Sequence, residues 1–273
     1  MRKIIGFLLL SWSTFTVAAD APHRILSLAP NITEILFDIG AGDQVVAVDR
    51  NSTYPDEAAK LPKVSVTDDT SAEAILGFKP DLVLMAPTQD NITEEATLEK
   101  FNVPVEKIDV QRLKDLSAAY IKLGKLTGHE KEAATKSKQL QDQFDQLIKQ
   151  AKPKKQLNVF FQLATNPLIT VNNKTVIGDV ISLCGGENIF GKELLSAPRV
   201  SLEAVIKANP DVIVSDQPHT LHTDWQKWPE MTAVKNQHLY AIPPDLIDRP
   251  GPRLIDGARL MCRAFRDVAQ EKK

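Results

Sequence analysis

Glu73-Ala74-Ile75-Leu76-Gly77-Phe78-Lys79-Pro80-Asp81-Leu82-Val83-Leu84 lies on Glu203-Ala204-Val205-Ile206-Lys207-Ala208-Asn209-Pro210-Asp211-Val212-Ile213-Val214 without a gap. The two stretches share one plan. A serine two residues upstream, Ser71 or Ser201, caps a short helix that begins at the glutamate. The residue before proline is biased away from the right-handed helical region, which stops the helix. An apolar run rich in branched side chains then enters a buried strand.

A second pair extends the duplication outward. Ile35 to Asp43 and Val180 to Glu187 each read as a helix that ends on glycine. Each follows a strand, Ile25 to Leu28 in one half and Leu157 to Phe161 in the other. Any α/β protein reuses a helix, Pro-Asp and a strand, but a plan shared over twelve residues in both halves favours two similar lobes. Between the halves, Leu140, Phe144, Leu147 and Ile148 share one helical face, with Lys136, Lys138, Asp142 and Lys149 around the other. This pattern runs from His129 to Ala151 and stops at Pro153, a length of roughly 30 Å at 1.5 Å per residue. Leu113, Leu116, Tyr120, Leu123 and Leu126 keep the same period and predict a preceding helix in the first lobe.

The expected fold is therefore α/β: two Rossmann-like lobes with central parallel sheets, joined by one long rigid helix, with a ligand cleft between them. The divisions are a leader at 1–19, an N-terminal lobe at 20–128, a connecting helix at 129–152 and a C-terminal lobe at 153–273.

The leader is read from Met1-Arg2-Lys3, the apolar run Ile4 to Val17 and the small residues Val17-Ala18-Ala19, the pattern of a cleaved signal peptide. Its apolar core is too short to cross a hydrocarbon layer of roughly 30 Å, so the mature chain is expected to be exported and soluble. No cysteine follows the run to take a lipid anchor. With 43% apolar and 25% charged residues, the chain has the composition of a globular protein rather than a disordered or polytopic one. A net charge of −2 argues against a nucleic-acid binder, which would carry a basic stripe. Cys184 and Cys262 are the two cysteines, and in an oxidising compartment pairing is the economical reading. A metal or nucleophile pair would want a nearby Cys-x-x-Cys or histidine-rich partner, and none is present.

No catalytic signature stands up: there is no Gly-x-Ser-x-Gly elbow, phosphate-binding loop or His-Glu-x-x-His. Gly40-Ala41-Gly42 is better explained as a helix end than as a nucleotide fingerprint. His219 and His222 beside Asp224 have metal-ligand spacing but lack a specified third ligand, so an exposed polar loop is the favoured reading. Glu73 and Glu203 sit equivalently in the two lobes; taken alone, they complement the dipoles of their helices. Asp245, Asp248, Arg249 and Arg253 cluster in Pro243-Pro244-Asp245-Leu246-Ile247-Asp248-Arg249-Pro250-Gly251-Pro252-Arg253. Prolines and glycine there predict a shaped loop that presents charge, or equally a solvated cluster of mutual salt bridges.

The chain resembles the helical-backbone periplasmic substrate-binding proteins of ABC importers for cobalamin, haem and iron chelates. The resemblance is carried by Arg24-Ile25-Leu26-Ser27-Leu28-Ala29-Pro30-Asn31-Ile32-Thr33-Glu34, Lys79-Pro80-Asp81-Leu82-Val83 and Cys184-Gly185-Gly186-Glu187-Asn188-Ile189-Phe190, the last typical of the cobalamin branch. It implies limited hinge motion, a disulfide between Cys184 and Cys262, and a monomer that delivers its ligand to an inner-membrane permease with its ATPase. Glu73 and Glu203 match the family's permease-docking glutamates. No cofactor or resident metal is implied; cobalamin is the transported ligand.

The resemblance places ligand contacts at Asn51, Thr67, Ala86, Ile169, Ala197, Asp245 and Arg249. The cobalamin branch presents aromatic rings at the first five, because rings give large apolar contact to a flat corrin at little entropic cost. None of the five is aromatic here, leaving Tyr54, Trp225 and Trp228 as candidate replacements. A siderophore or haem is the alternative ligand, haem asking for a ligand such as His219, His222 or Tyr54. A secreted hydrolase is the reading from a different class.

Overall fold

In the computed structural model, which describes residues 21–64, 72–87, 92–151, 156–217, 221 and 225–270, the two copies of the motif occupy equivalent places in two parallel sheets. The N-terminal lobe runs β1 (Ile25–Ser27), α1 (Pro30–Asp38), β2 (Val45–Asp49), α2 (Asp56–Ala59), β3 (Lys63–Val64), α3 (Ala72–Gly77), β4 (Leu82–Met85), α4 (Ile92–Lys100), β5 (Val105–Lys107) and α5 (Asp115–Thr127). After the long helix α6 (Glu130–Gln150), the C-terminal lobe runs β6 (Leu157–Gln162), α7 (Val176–Leu183), β7 (Gly186–Asn188), α8 (Leu202–Ala208), β8 (Val212–Ser215), α9 (Thr232–Lys235), β9 (Leu239–Ala241), α10 (Pro244–Ile247) and α11 (Leu254–Gln270). The leader, and with it the signal-peptide expectation, lies outside the described residues.

The first sheet has the order β3-β2-β1-β4-β5 and the second β7-β6-β8-β9, all parallel. Apart from β3, the orders superpose: β1 answers to β6, β2 to β7, β4 to β8 and β5 to β9. Registers agree too, for Ile25 pairs with Leu82 as Val159 pairs with Val212. The aspartate of each motif ties the two central strands together at their entry. Asp81 accepts the backbone N–H groups of His23 (2.8 Å) and Arg24 (2.9 Å), and Asp211 accepts that of Asn158 (2.9 Å).

Two local expectations change. The helices begin one residue before their glutamates, at Ala72 and Leu202. They stop because Lys79 (φ 49°) and Asn209 (φ 43°) turn left-handed, not extended, before their prolines. The glycine ends hold: Gly40 (φ 84°) and Gly185 (φ 81°) adopt the left-handed geometry that only glycine takes without a Cβ penalty.

Alternating strand residues feed two faces. Leu26 and Val83 pack on an outer cluster of the N-terminal lobe, and Phe160 and Ile213 on one of the C-terminal lobe. The opposite faces, carrying Ile25, Leu84, Val159, Phe161 and Val214, join one continuous core that spans both lobes. The helix α6 is part of that core rather than a free spacer. Ala133, Ser137, Leu140 and Phe144 are its buried stripe, packed against α5 and α11, while Leu147 is half-buried and Ile148 is exposed. Asp38 of α1 receives both the Tyr120 hydroxyl of α5 and the Lys136 ammonium of α6, each at 2.7 Å. Burial and the Asp38 charge together raise the Tyr120 pKa.

The predicted disulfide forms. Cys184, at the end of α7, bonds Cys262 of α11 with an S–S distance of 2.04 Å. Two ion pairs add to the contact between lobes. Arg112 forks onto Asp179, whose carboxylate also accepts the Leu113 N–H at 2.8 Å. Glu34, nearly fully buried, receives Arg253 through Nη2 (2.5 Å) and Nε (3.0 Å). Charge-assisted forks of this kind fix orientation as well as adding energy.

Candidate functional site

In open parallel sheets, a ligand lies beyond the carboxyl ends of the strands where the order reverses. Those switch points fall between β1 and β4 in one lobe and between β6 and β8 in the other. The cleft is therefore framed by the turns that leave these strands: Leu28-Ala29 and Ala86 on one side, Leu163-Ala164 and Asp216 on the other.

From the N-terminal lobe come Asn51, exposed, and Ala86, half-buried. The Asn51 N–H donates to Asp49 Oδ1 (2.8 Å), fixing the turn after β2, and burial raises the Asp49 pKa. From the C-terminal lobe comes Ile169, half-buried at the base of a short hairpin, bridged to Ala164 on one side and Arg199 on the other. Ala197 is exposed on the adjoining strand, which pairs through Thr170 N–H to Pro198 O and Asn172 N–H to Ser196 O, both 3.1 Å. Thr67, His219, His222 and Asp224 lie outside the described residues. Among the described residues no group of His, Cys, Asp or Glu could hold a metal ion.

The proline-rich segment is more ordered than expected. Pro244 starts α10, because a missing N–H is harmless in a first helical turn. One turn on, Arg249 pairs with Asp245 (2.8 Å), and its Nη1 stands 3.9 Å from Glu34 across the lobes. The charge cluster thus both presents charge and pairs internally. Glu34 belongs to the same cluster although it lies 219 residues from Arg253, a separation of which sequence spacing carries no sign. A further pair lies beside it. Asp216, directly after β8, is 8% exposed and meets Asp248; burial and the Asp216 charge push the Asp248 carboxyl up to about 8.

The candidate aromatic replacements do not gather in the cleft. Trp225 is buried in the outer C-terminal cluster, edge-on to Phe160, with its N–H on Gln162 Oε1 (2.5 Å). The Tyr54 ring lies under the Arg253 guanidinium at 4.2 Å and lines a lateral cavity of about 590 Å³ between α1 and the start of α11. Among the described residues, none of those matched to the family's ligand contacts lines that cavity. Trp228 is partly exposed beyond Trp225.

Instead, the structure displays two leucines that sequence reasoning passed over. Leu194 and Leu195 are 89% and 69% exposed. Buried Asn172 clamps the chain on both sides of them, bonding Glu193 O through Nδ2 (2.9 Å) and Ser196 O through its backbone N–H (3.1 Å). Their signal in the sequence was adjacency: two leucines inside a polar run fit neither helix nor strand period.

Glu73 and Glu203 are both exposed in the first turn of their helices. Ser201 Oγ accepts the Ala204 N–H at 3.1 Å, and hydrogen bonds from the Glu203 N–H and from Ser201 hold the Glu203 carboxyl below its ordinary range. Ser71, the matching cap, lies outside the described residues.

Residues 25–246 match the family described as periplasmic binding protein. The vitamin B12-binding protein of Vibrio parahaemolyticus is 31% identical over 275 residues, covering 100% of both chains. That of Pectobacterium atrosepticum is 32% identical over 96% of each. Among solved structures, the periplasmic vitamin B12 binding protein of Vibrio cholerae superposes with a TM-score of 0.84 at 29% identity, covering 93% of this chain and 100% of that one. The periplasmic heme-binding protein of Roseiflexus sp. RS-1 superposes at 0.81 with 24% identity over 91% and 99%, a likeness of fold. With its two parallel lobes and a match over most of its length, the chain belongs to the periplasmic binding protein family.

Proposed function

We propose that the chain is a periplasmic receptor that captures cobalamin or a related corrinoid between its lobes and hands it to the permease of an ABC importer, whose ATPase drives uptake. The observation that carries this reading is similarity to vitamin B12-binding proteins over the whole of both chains. The family's members are transport components rather than enzymes. The leader at 1–19 directs the chain to the periplasm, where it works as a monomer.

In this reading Asn51, Thr67, Ala86, Ile169 and Ala197 face the corrin, and Asp245 and Arg249 supply polar contact. Leu194 and Leu195, held on a clamped turn of the same loop as Ala197, provide apolar contact where relatives of the cobalamin branch present rings. Preorganising that turn lowers the ordering cost of binding. Glu73 and Glu203 face the permease, where complementary charge sets orientation and encounter rate. Haem is the second ligand, because solved haem-binding proteins share the fold. It is disfavoured because Tyr54, the candidate iron ligand among the described residues, is engaged by Arg253.

Thermal melts of the mature protein with cyanocobalamin, haemin and a ferric hydroxamate separate the readings. Cyanocobalamin at a hundred times its Kd should stabilise by about 2.7 kcal/mol and raise Tm, with the others silent. A rise with haemin alone would transfer the assignment to haem.

A further inference from the structure

We infer that Asn172 is a positioning residue for ligand capture, holding the Leu194-Leu195 turn in the one shape that sets both leucines against an apolar face of the ligand. The inference deepens the cobalamin reading and rests on it, since a corrin offers such a face.

Leu194 and Leu195 are the two most exposed large apolar side chains among the described residues, at 89% and 69%. Leucines scattered singly over a surface need no explanation. Two adjacent ones are different when the backbone beneath them is fixed, because the turn cannot fold back to cover them. Asn172 supplies that fixation from a fully buried position. Its Nδ2 donates to Glu193 O before the leucines (2.9 Å), and its backbone N–H donates to Ser196 O after them (3.1 Å). Its Oδ1 accepts the Lys174 N–H at 2.8 Å, which turns the donor end of the amide toward Glu193. Stitches continue on both sides. The Asn173 N–H donates to Gly191 O (3.0 Å), the Thr170 N–H to Pro198 O (3.1 Å) and Asn188 Nδ2 to Val171 O (2.7 Å).

The same strip of chain reaches the cleft. Thr170 follows Ile169, which bridges Ala164 just after β6 on one side and Arg199, two residues beyond Ala197, on the other. The turn therefore extends the wall that begins at the carboxyl end of β6, the switch point of the C-terminal lobe. Asn172 itself is buried beneath the turn and touches no ligand, so its contribution to binding passes through the leucines. Without the clamp the turn samples other shapes, and apparent affinity falls with the fraction that remains competent.

The test is calorimetric titration with cyanocobalamin, at several temperatures, of four forms of the mature protein: the wild type, Asn172→Ala, Leu194→Ser with Leu195→Ser, and all three substitutions together. Tm is measured for each without ligand. The serine pair, at exposed positions, should keep the wild-type Tm and bind about tenfold more weakly. Its heat-capacity change on binding should be less negative, the mark of lost apolar burial. Asn172→Ala should lower Tm and also bind about tenfold more weakly. In the combined form Tm should fall as it does for Asn172→Ala, while affinity drops no further than in the serine pair. A residue that only stabilised the fold would lower Tm and leave affinity alone, or weaken binding equally with and without the leucines; either result overturns the inference. So does a serine pair that binds like the wild type, a result that stands even if Asn172→Ala does not fold. These outcomes leave the cobalamin assignment standing. Silence of the wild type overturns the assignment and the inference with it.

Discussion

The two copies of the helix, Pro-Asp and strand motif agree in their backbone and part company at their loops. Asp81 and Asp211 clamp the entry of the central strands, Lys79 and Asn209 turn left-handed before proline, and Gly40 and Gly185 end the preceding helices. These features shape the sheets, and any lobe of this topology needs them. Beyond the carboxyl ends of the strands the copies diverge. The N-terminal lobe adds β3 after Asn51 and Ser52; the C-terminal lobe adds a hairpin, the clamped Leu194-Leu195 turn and the Asp216–Asp248 pair. Among the described residues the framework is duplicated and the loops beyond the strands are not.

The largest test of that comparison is the disulfide, which staples α7 to α11 in one copy and has no counterpart in the other. Replacing both cysteines by alanine should destabilise by roughly 4 to 5 kcal/mol, the chain-entropy expectation for a closed loop of about 80 residues. Because the inner core is common to both lobes, urea unfolding of the variant should remain one transition with a lowered midpoint. Two separated transitions would mean that the lobes fold independently. Next come Asp81→Ala and Asp211→Ala, each expected to cost about 1 to 2 kcal/mol for lost charge-assisted bonds to backbone. A loss confined to one of them in chemical denaturation would break the equivalence.

The carboxyl pair gives the comparison a pH signature. A carboxyl raised in the folded state holds its proton where the unfolded chain has lost it, so stability falls as pH rises from about 4 to about 8. Asp248→Asn should flatten that slope and stabilise by on the order of 1 kcal/mol at pH 8, where the exposed side of Asp248 tempers the effect. The smallest expected effect separates the two left-handed residues. Lys79→Gly should stabilise by up to about 1 kcal/mol, and Asn209→Gly by much less, since asparagine already tolerates that conformation. Equal Tm shifts for the two would show that the lysine carries no strain.

Local patterns were legible in the sequence, and long-range meetings were not. The repeat, the glycine ends, the α5 and α6 stripes and the paired cysteines follow from periods and compartments that one sequence displays. Ile148 was placed on the buried face because its neighbours suit it, yet the stripe runs through Ala133 and Ser137, small residues where α5 approaches closely. Trp225 is a candidate for the cleft only because the five matched positions carry no ring; Phe160 and Gln162 from β6 take it into the outer core. Glu34 with Arg253 depends on how two lobes close on one another, and Asp216 with Asp248 on how the turn after β8 meets the end of α10 within one lobe. Periodicity does not report that.

The central claim is tested most directly by calorimetric titration of the purified mature protein with cyanocobalamin at neutral pH. The account predicts one-to-one binding tighter than about micromolar, near −8 kcal/mol. No heat with cyanocobalamin, together with saturable binding of haemin, would contradict it and assign the same scaffold to another ligand.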